Sequence, residues 1–433
     1  MVRVKKVTTA AILPSFWRRY SWWWAPLASY LVVLILALVL ALARVVVSTT
    51  ATYHLPIANR LEATNRLNEV SIVLAASVSA NPVGPSVKSS ALAFTPLEPI
   101  IYAAPVSSGG GSALGKQNNK VGMYVQNSGD QIAEAAELVN SNGGDWGYVL
   151  LTMNLNDRGG GTWQSLFDAA AKSHVIPVIQ LFNAGACNPD EMDFDGLAEM
   201  LNSLAWPSRR RYISIFNEVN AGDYWCGNAS GESYAKALDK AINAFKSKSS
   251  DFFIMPAAFN SSARTGAVSN EKAKYIGEDL FLQQMNQAVP GIFSRIDGWA
   301  NHAYPQPNFS GAIYAGRDSI LNYNWELGLL RQFGVGSLPV FITETGWIHK
   351  EGQESCGQYS QAGLLSAEVV AARYQAAYTN YWLPDPRVVA VMPFILASSD
   401  PCAAGFAWQK PDGSLYPQGE MLKVIPKVAG SPD

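Results

Sequence analysis

Two acids stand where apolar runs end: Glu218 in Ile215-Phe216-Asn217-Glu218-Val219-Asn220 and Glu344 in Phe341-Ile342-Thr343-Glu344-Thr345-Gly346-Trp347. A carboxylate at the end of a buried strand is costly to place, so its recurrence calls for a reason. Two carboxyl groups facing one another supply one. One protonates a leaving oxygen while the other attacks or activates water, the chemistry that opens a glycosidic bond. The competing reading of each acid is a helix cap or a structural ion pair.

Such a pair needs a fold that brings distant strand ends together. After Lys120, short apolar runs alternate with longer helical stretches, the order expected when helices cover a parallel sheet. Strands are predicted at 121–125, 146–153, 175–182, 212–216, 252–258, 296–302, 338–343 and 388–396. Helical stretches are predicted at 131–140, 163–173, 234–245, around 319–331 and at 367–381. Eight strands favour a TIM-type (β/α)8 barrel of the α/β class over an open dinucleotide-binding sheet, and no GxGxxG follows the first strand. Glu218 then follows strand four and Glu344 strand seven, at the C-terminal rim where barrel side chains converge.

With these positions, the chain over about 120–410 resembles the superfamily of retaining glycoside hydrolases built on (β/α)8 barrels. In that family an acid/base glutamate, often preceded by Asn, follows strand four, and the nucleophile follows strand seven. The resemblance implies Glu218 as acid/base, Glu344 as nucleophile, and a double displacement through a covalent sugar intermediate. Glu218 would begin protonated and Glu344 charged. The resemblance also makes Tyr304 the helper at the nucleophile and Trp408 an aromatic floor.

Other rim residues are read from their types. Asn217 could hold a sugar hydroxyl or merely shape a turn. His302 and Tyr304 close the sixth strand, and His302 could bind sugar or be a satisfied core residue. Trp347 and Trp408 could stack on a sugar or seal a core. Tyr124, Asn154, Asn183, Trp225 and Asn260 are further rim candidates that could set glycan specificity or simply pack in loops. Only four histidines are present and no CxxC pair, so neither a metal nor a cofactor is expected.

The four cysteines, Cys187, Cys226, Cys356 and Cys402, permit two disulfides in three pairings. On the barrel, Cys187–Cys226 and Cys356–Cys402 would join neighbouring loops on opposite sides of the cleft. Asn228, Asn260 and Asn308 carry the weak N-glycosylation spacing.

The chain divides into a basic segment at 1–21, an uncharged apolar run at 22–43, a stalk and Pro/Ser/Gly-rich spacer at 44–118, and the barrel at 119–433. The apolar run is long enough to span a bilayer, and the basic residues before it favour a cytoplasmic N-terminus with an exported body. A cleaved signal peptide is the alternative, leaving a secreted protein. The net charge of −2, with no basic stripe, argues against nucleic acid as a partner.

The expected substrate is a β-linked extracellular or cell-wall polysaccharide or oligosaccharide, β-glucan first and then mannan. A transglycosylase on the same glycans and a non-catalytic carbohydrate-binding barrel are the alternatives. Oligomeric state is not encoded in any of these features.

Overall fold

The computed structural model describes residues 118–264, 274–351 and 363–432, all within the compact unit Ile101–Asp433. The basic segment 1–21, the apolar run 22–43 and the stalk up to residue 117 lie outside the described residues. Among the described residues no helix is long and apolar enough to cross a membrane.

Eight strands alternate with eight helices among the described residues. They run β1 Gly122–Tyr124, α1 Gly129–Val139, β2 Gly147–Asn154, α2 Gly160–Lys172, β3 Val175–Phe182, α3 Phe194–Ser203, β4 Arg211–Asn217 and α4 Gly231–Lys248. Then follow β5 Phe252–Ala258, α5 Glu278–Ala288, β6 Trp299–Ala303, α6 Tyr323–Leu330, β7 Val340–Thr345, α7 Ala367–Ala377, β8 Val388–Val391 and α8 Pro417–Val424. Every ladder is parallel, in the orders β1-β2-β3-β4-β5 and β6-β7-β8.

Two seams join the ladders. Val121 bridges Val391 in parallel, with the Val391 amide donating to the Lys120 carbonyl. At the other seam the Asp297 amide donates to the Ile254 carbonyl, and the Asp297 carboxylate accepts from the Ile254 amide at 2.7 Å. A side chain thus completes the backbone pairing between β5 and β6.

The period of two along each strand sorts the side chains into two layers. Tyr148, Leu150, Ile176, Val178, Tyr212, Phe253, Met255 and Phe341 pack together inside the ring of strands. Their neighbours Val149, Leu151, Ile179, Ile213, Ile254 and Ile342 face the helices in a second cluster. Burial on both faces is why these strands read as nearly continuous apolar runs.

Boundaries differ from expectation at a few places. β8 stops at Val391 rather than running to 396, because Pro393 has no amide to extend a ladder. α3, α5 and α8 were not anticipated, although Phe194, Leu197, Ala198 and Leu201 keep a helical spacing in α3 and are all buried. Gly196, Asp195 and Glu199 dilute that signal.

Candidate active site

Glu218 enters the site through unusual backbone. Phe216 and Glu218 have φ of 76° and 40°, in the left-handed region that side chains disfavour. Ile215 and Phe216 both pack in the outer layer, so the chain abandons alternation there and carries Glu218 to the cavity wall. A bulky residue held in this conformation costs about 1–2 kcal/mol and is found where the fold fixes a side chain for use.

A related device aims Glu344. Across the β6–β7 ladder Asn301 pairs with Ile342 but His302 pairs with Glu344, leaving Thr343 as an extra residue. That bulge shifts Glu344 by one step relative to the regular pleat, and such bulges commonly re-aim side chains beside active sites. Glu344 lies within β7, one residue before its end.

The two acids meet on one imidazole. His302 Nδ1 lies 3.0 Å from Glu218 Oε1, and His302 Nε2 lies 3.5 Å from Glu344 Oε1. Every carboxylate oxygen of the pair has a neighbour. Asn260 donates to Glu218 Oε2 at 3.1 Å, Gln180 to Glu344 Oε1 at 2.9 Å, and Tyr304 to Glu344 Oε2 at 3.1 Å. Both acids, with His302, Tyr304 and Asn260, line a cavity of about 270 Å³.

Burial pushes the Glu344 carboxyl up, against the His302 charge and the Gln180 donor, which pull it down; the Glu218 charge adds to the rise. Burial draws His302 down, but the Glu344 and Glu218 charges outweigh it and leave the imidazole raised. Tyr304 is held far up by burial and by Glu344, so it stays a hydroxyl donor. His302 therefore stands between the two acids and holds the Glu344 carboxyl below where burial alone would put it.

Gln180 was not singled out in the sequence. It is the lone polar residue in Val-Ile-Pro-Val-Ile-Gln-Leu-Phe, on the inward face with Ile176 and Val178, and that isolation was its signal. It is fully buried, and its amide also donates to Asn217 Oδ1 at 2.9 Å. Asn217 stands behind the acids, 6% exposed, and is not on the cavity wall.

Aromatic residues share the rest of the wall with Ser261, Ser262 and Gln306. Phe309, Phe394 and Phe406 line it together with Tyr224 and Tyr304. Phe406 packs edge-on against Tyr304, Phe309 and Phe394, with centroids 5.2–5.9 Å apart. Tyr124 stands edge-on to Phe394 at 5.0 Å, half-buried beside this wall.

Several expected contacts are corrected. Trp347 and Trp408 are 1% and 0% exposed and belong to the outer core; Trp347 donates to the Gly311 carbonyl and packs edge-on to Tyr374. Trp408 packs against Tyr374 at 4.7 Å. Large aromatics following β7 and β8 are drawn under the helices by apolar burial, and phenylalanines take the wall. Trp225 is likewise in the core, Asn154 is exposed, and Asn183 supports the Tyr224 carbonyl at 3.2 Å. Asn260 turns its amide to Glu218, so the acceptor spacing there serves the cavity.

Cys187 and Cys226 are bonded, joining the loops after β3 and β4. Cys402 is also disulfide-bonded, and the residue expected to pair with it, Cys356, lies outside the described residues. Among the described residues no group of three His, Cys, Asp or Glu side chains is placed to hold a metal ion.

No family model matches the chain, and no curated protein matches it. Among solved structures it is similar to a fungal β-1,4-galactanase, at 14% identity over 68% of this chain and 91% of that one, with a TM-score of 0.43. It is also similar to an endo-β-1,4-glucanase from Xanthomonas axonopodis pv. citri, at 12% identity over 70% and 97%, TM-score 0.43. An endo-β-1,4-mannanase from Thermotoga petrophila is similar at 10% identity over 72% and 77%, TM-score 0.42. At such values no residue role passes from those chains to this one, and the site stands on its own geometry.

Proposed function

We propose that this protein is a retaining glycoside hydrolase acting on β-linked polysaccharide, with Glu344 as nucleophile and Glu218 as acid/base. The observation that carries this reading is the meeting of two acids, from strand ends far apart in sequence, on the single imidazole of His302 in an aromatic-walled cavity.

Glu344 attacks the anomeric carbon while Glu218 gives its proton to the leaving oxygen. Water deprotonated by Glu218 then releases the sugar from Glu344. Gln180 and Tyr304 hold the Glu344 carboxylate oxygens in place for attack. Asn260 fixes the second oxygen of Glu218, and the aromatic wall gives the sugar ring an apolar face.

We further propose that residues 22–43 anchor the chain with its catalytic body outside the cytoplasm. The Cys187–Cys226 bond supports an oxidising compartment, and a tethered enzyme stays beside an extracellular or cell-wall glycan. A topology reporter fused after residue 433 tests this, and a cytoplasmic signal contradicts it.

The catalytic reading is tested by screening β-glucans, β-mannans and related glycans with wild type, Glu218→Gln and Glu344→Gln. Cleavage by wild type alone supports it. Binding without cleavage by all three identifies a carbohydrate-binding barrel instead. Products enlarged by an added acceptor sugar, rather than opened by labelled water, identify a transglycosylase.

A further inference from the structure

At the cavity mouth two tyrosines stand in solvent, Tyr224 at 42% and Tyr275 at 36% exposure. Single exposed aromatics are ordinary, but these two adjoin. Tyr224 is part of the cavity wall, and Tyr275 reaches it through the carboxylate of Asp223, the residue before it. The Tyr275 hydroxyl donates to Asp223 Oδ2 at 2.7 Å, Asp223 pairs with Lys274 at 3.3 Å, and the Lys274 ammonium lies 5.3 Å from the Tyr275 ring centre.

Their backbones are unusually constrained for a rim. Ala221 and Tyr275 form an antiparallel bridge, and the Ile276 amide donates to the Asn220 carbonyl at 3.0 Å. Tyr224 donates from its amide to the Ala221 carbonyl and accepts from Asn183 at its own. Cys226, two residues on, is bonded to Cys187. The turn is so tight that a Cβ on Gly222 would meet the Gly227 backbone at 2.7 Å. Surface rings held this firmly lose little freedom on binding a ligand.

We propose that Tyr224 and Tyr275 continue the cavity as a stacking platform for further sugar rings, so that the protein seats an internal stretch of a neutral glycan chain. The chemistry selects the ligand class: flat rings meet the C–H face of a pyranose, while the phenols and the Asp223–Lys274 pair meet its hydroxyls. Because that ion pair cancels its own charge, the platform favours a neutral chain over an anionic one. This extends the proposed hydrolase site beyond the bond it cleaves and rests on that reading for the direction of the chain.

Affinity electrophoresis of the full chain through gels holding soluble β-glucan, β-mannan or an anionic polygalacturonate tests it without requiring turnover. Wild type is retarded by at least one neutral glycan, and Tyr275→Ala weakens that retardation by about tenfold, with Tyr224→Ala at least as severe. The ratio of wild-type to Tyr275→Ala affinity rises from disaccharide to hexasaccharide. Circular dichroism and melting temperature matching wild type establish that the variants are folded.

Equal retardation of wild type and Tyr275→Ala, a ratio independent of chain length, preference for the polygalacturonate, or no retardation of wild type by any neutral glycan overturns the proposal. Tyrosine-dependent retardation without cleavage of any glycan leaves the platform standing and removes the hydrolase reading.

Discussion

The cavity-lining acids Glu218 and Glu344 and the sealed acids Glu278 and Glu326 are built in opposite ways. Glu218 and Glu344 face the cavity, and each of their four oxygens has a polar neighbour. Glu278 and Glu326 are fully buried; Glu326 accepts from Trp299 at 2.6 Å and Asn301 at 2.7 Å, while among the described residues neither oxygen of Glu278 has a hydrogen-bond partner. Burial pushes Glu278 well up, the Glu326 charge adding to it, and lifts Glu326 to about 7.

The alternation of β6 separates the two pairs. His302 points inward above Ala300, while Trp299 and Asn301 point outward to Glu326 on α6. One strand therefore serves both. The pair with a polar neighbour at every oxygen and an open cavity is equipped for proton transfer, whereas the sealed pair is equipped to hold protons above the ordinary carboxylate range.

The largest expected contrast is in turnover. Glu344→Gln or Glu218→Gln lowers sugar release by about a thousandfold or more, and Glu326→Gln by no more than severalfold, in reducing-end assays. Comparable losses in all three would erase the distinction between the pairs.

The next contrast concerns what holds each pair in place. Replacing both Cys187 and Cys226 with Ser costs about 2–4 kcal/mol in denaturant unfolding and loosens the Tyr224 loop. Protease nicking of that loop should rise while the helix-backed side near Glu326 stays protected. Uniform protection would show that the bond is not what braces the rim.

Stability against pH isolates the sealed pair. Because Glu326 has a raised folded-state pKa, the native state binds more protons than the unfolded one between the ordinary carboxylate range and about 7. Stability is full below that window and falls as pH rises through it, by of the order of 1–3 kcal/mol. Glu326→Gln should flatten this slope, and an unchanged slope assigns it to other groups.

The smallest effect sharpens the cavity side. Gln180 and Tyr304 favour the charged form of Glu344, so Gln180→Leu and Tyr304→Phe each raise its proton affinity. The acidic limb of the rate profile moves to higher pH, with a loss of about tenfold at the optimum. An acidic limb that stays put would separate those donors from the rate-limiting ionisation.

The strand order was legible because the inner and outer faces are both apolar, which makes each strand a run bounded by turns. Glu218, Glu344, His302 and Tyr304 stood out as polar residues at the ends of such runs. Gln180 did not, since one amide inside an apolar strand has no neighbour in sequence to explain it. The tryptophans misled for a physical reason: ring size suits a core as well as a sugar, and only the path of the chain after β7 and β8 decides between them. Phe309 and Phe394 lie on irregular segments and Phe406 on a single 3-10 turn, and their course depends on contacts distant in sequence, so no local pattern announces the wall they form.

If Glu218 and Glu344 act together on one anomeric centre by two displacements, the configuration of the released sugar is retained. Proton NMR of the first sugar set free by wild type, recorded before mutarotation, reads that configuration. A β-linked substrate should yield the β anomer first; the α anomer first means a single inverting displacement and rules the paired mechanism out.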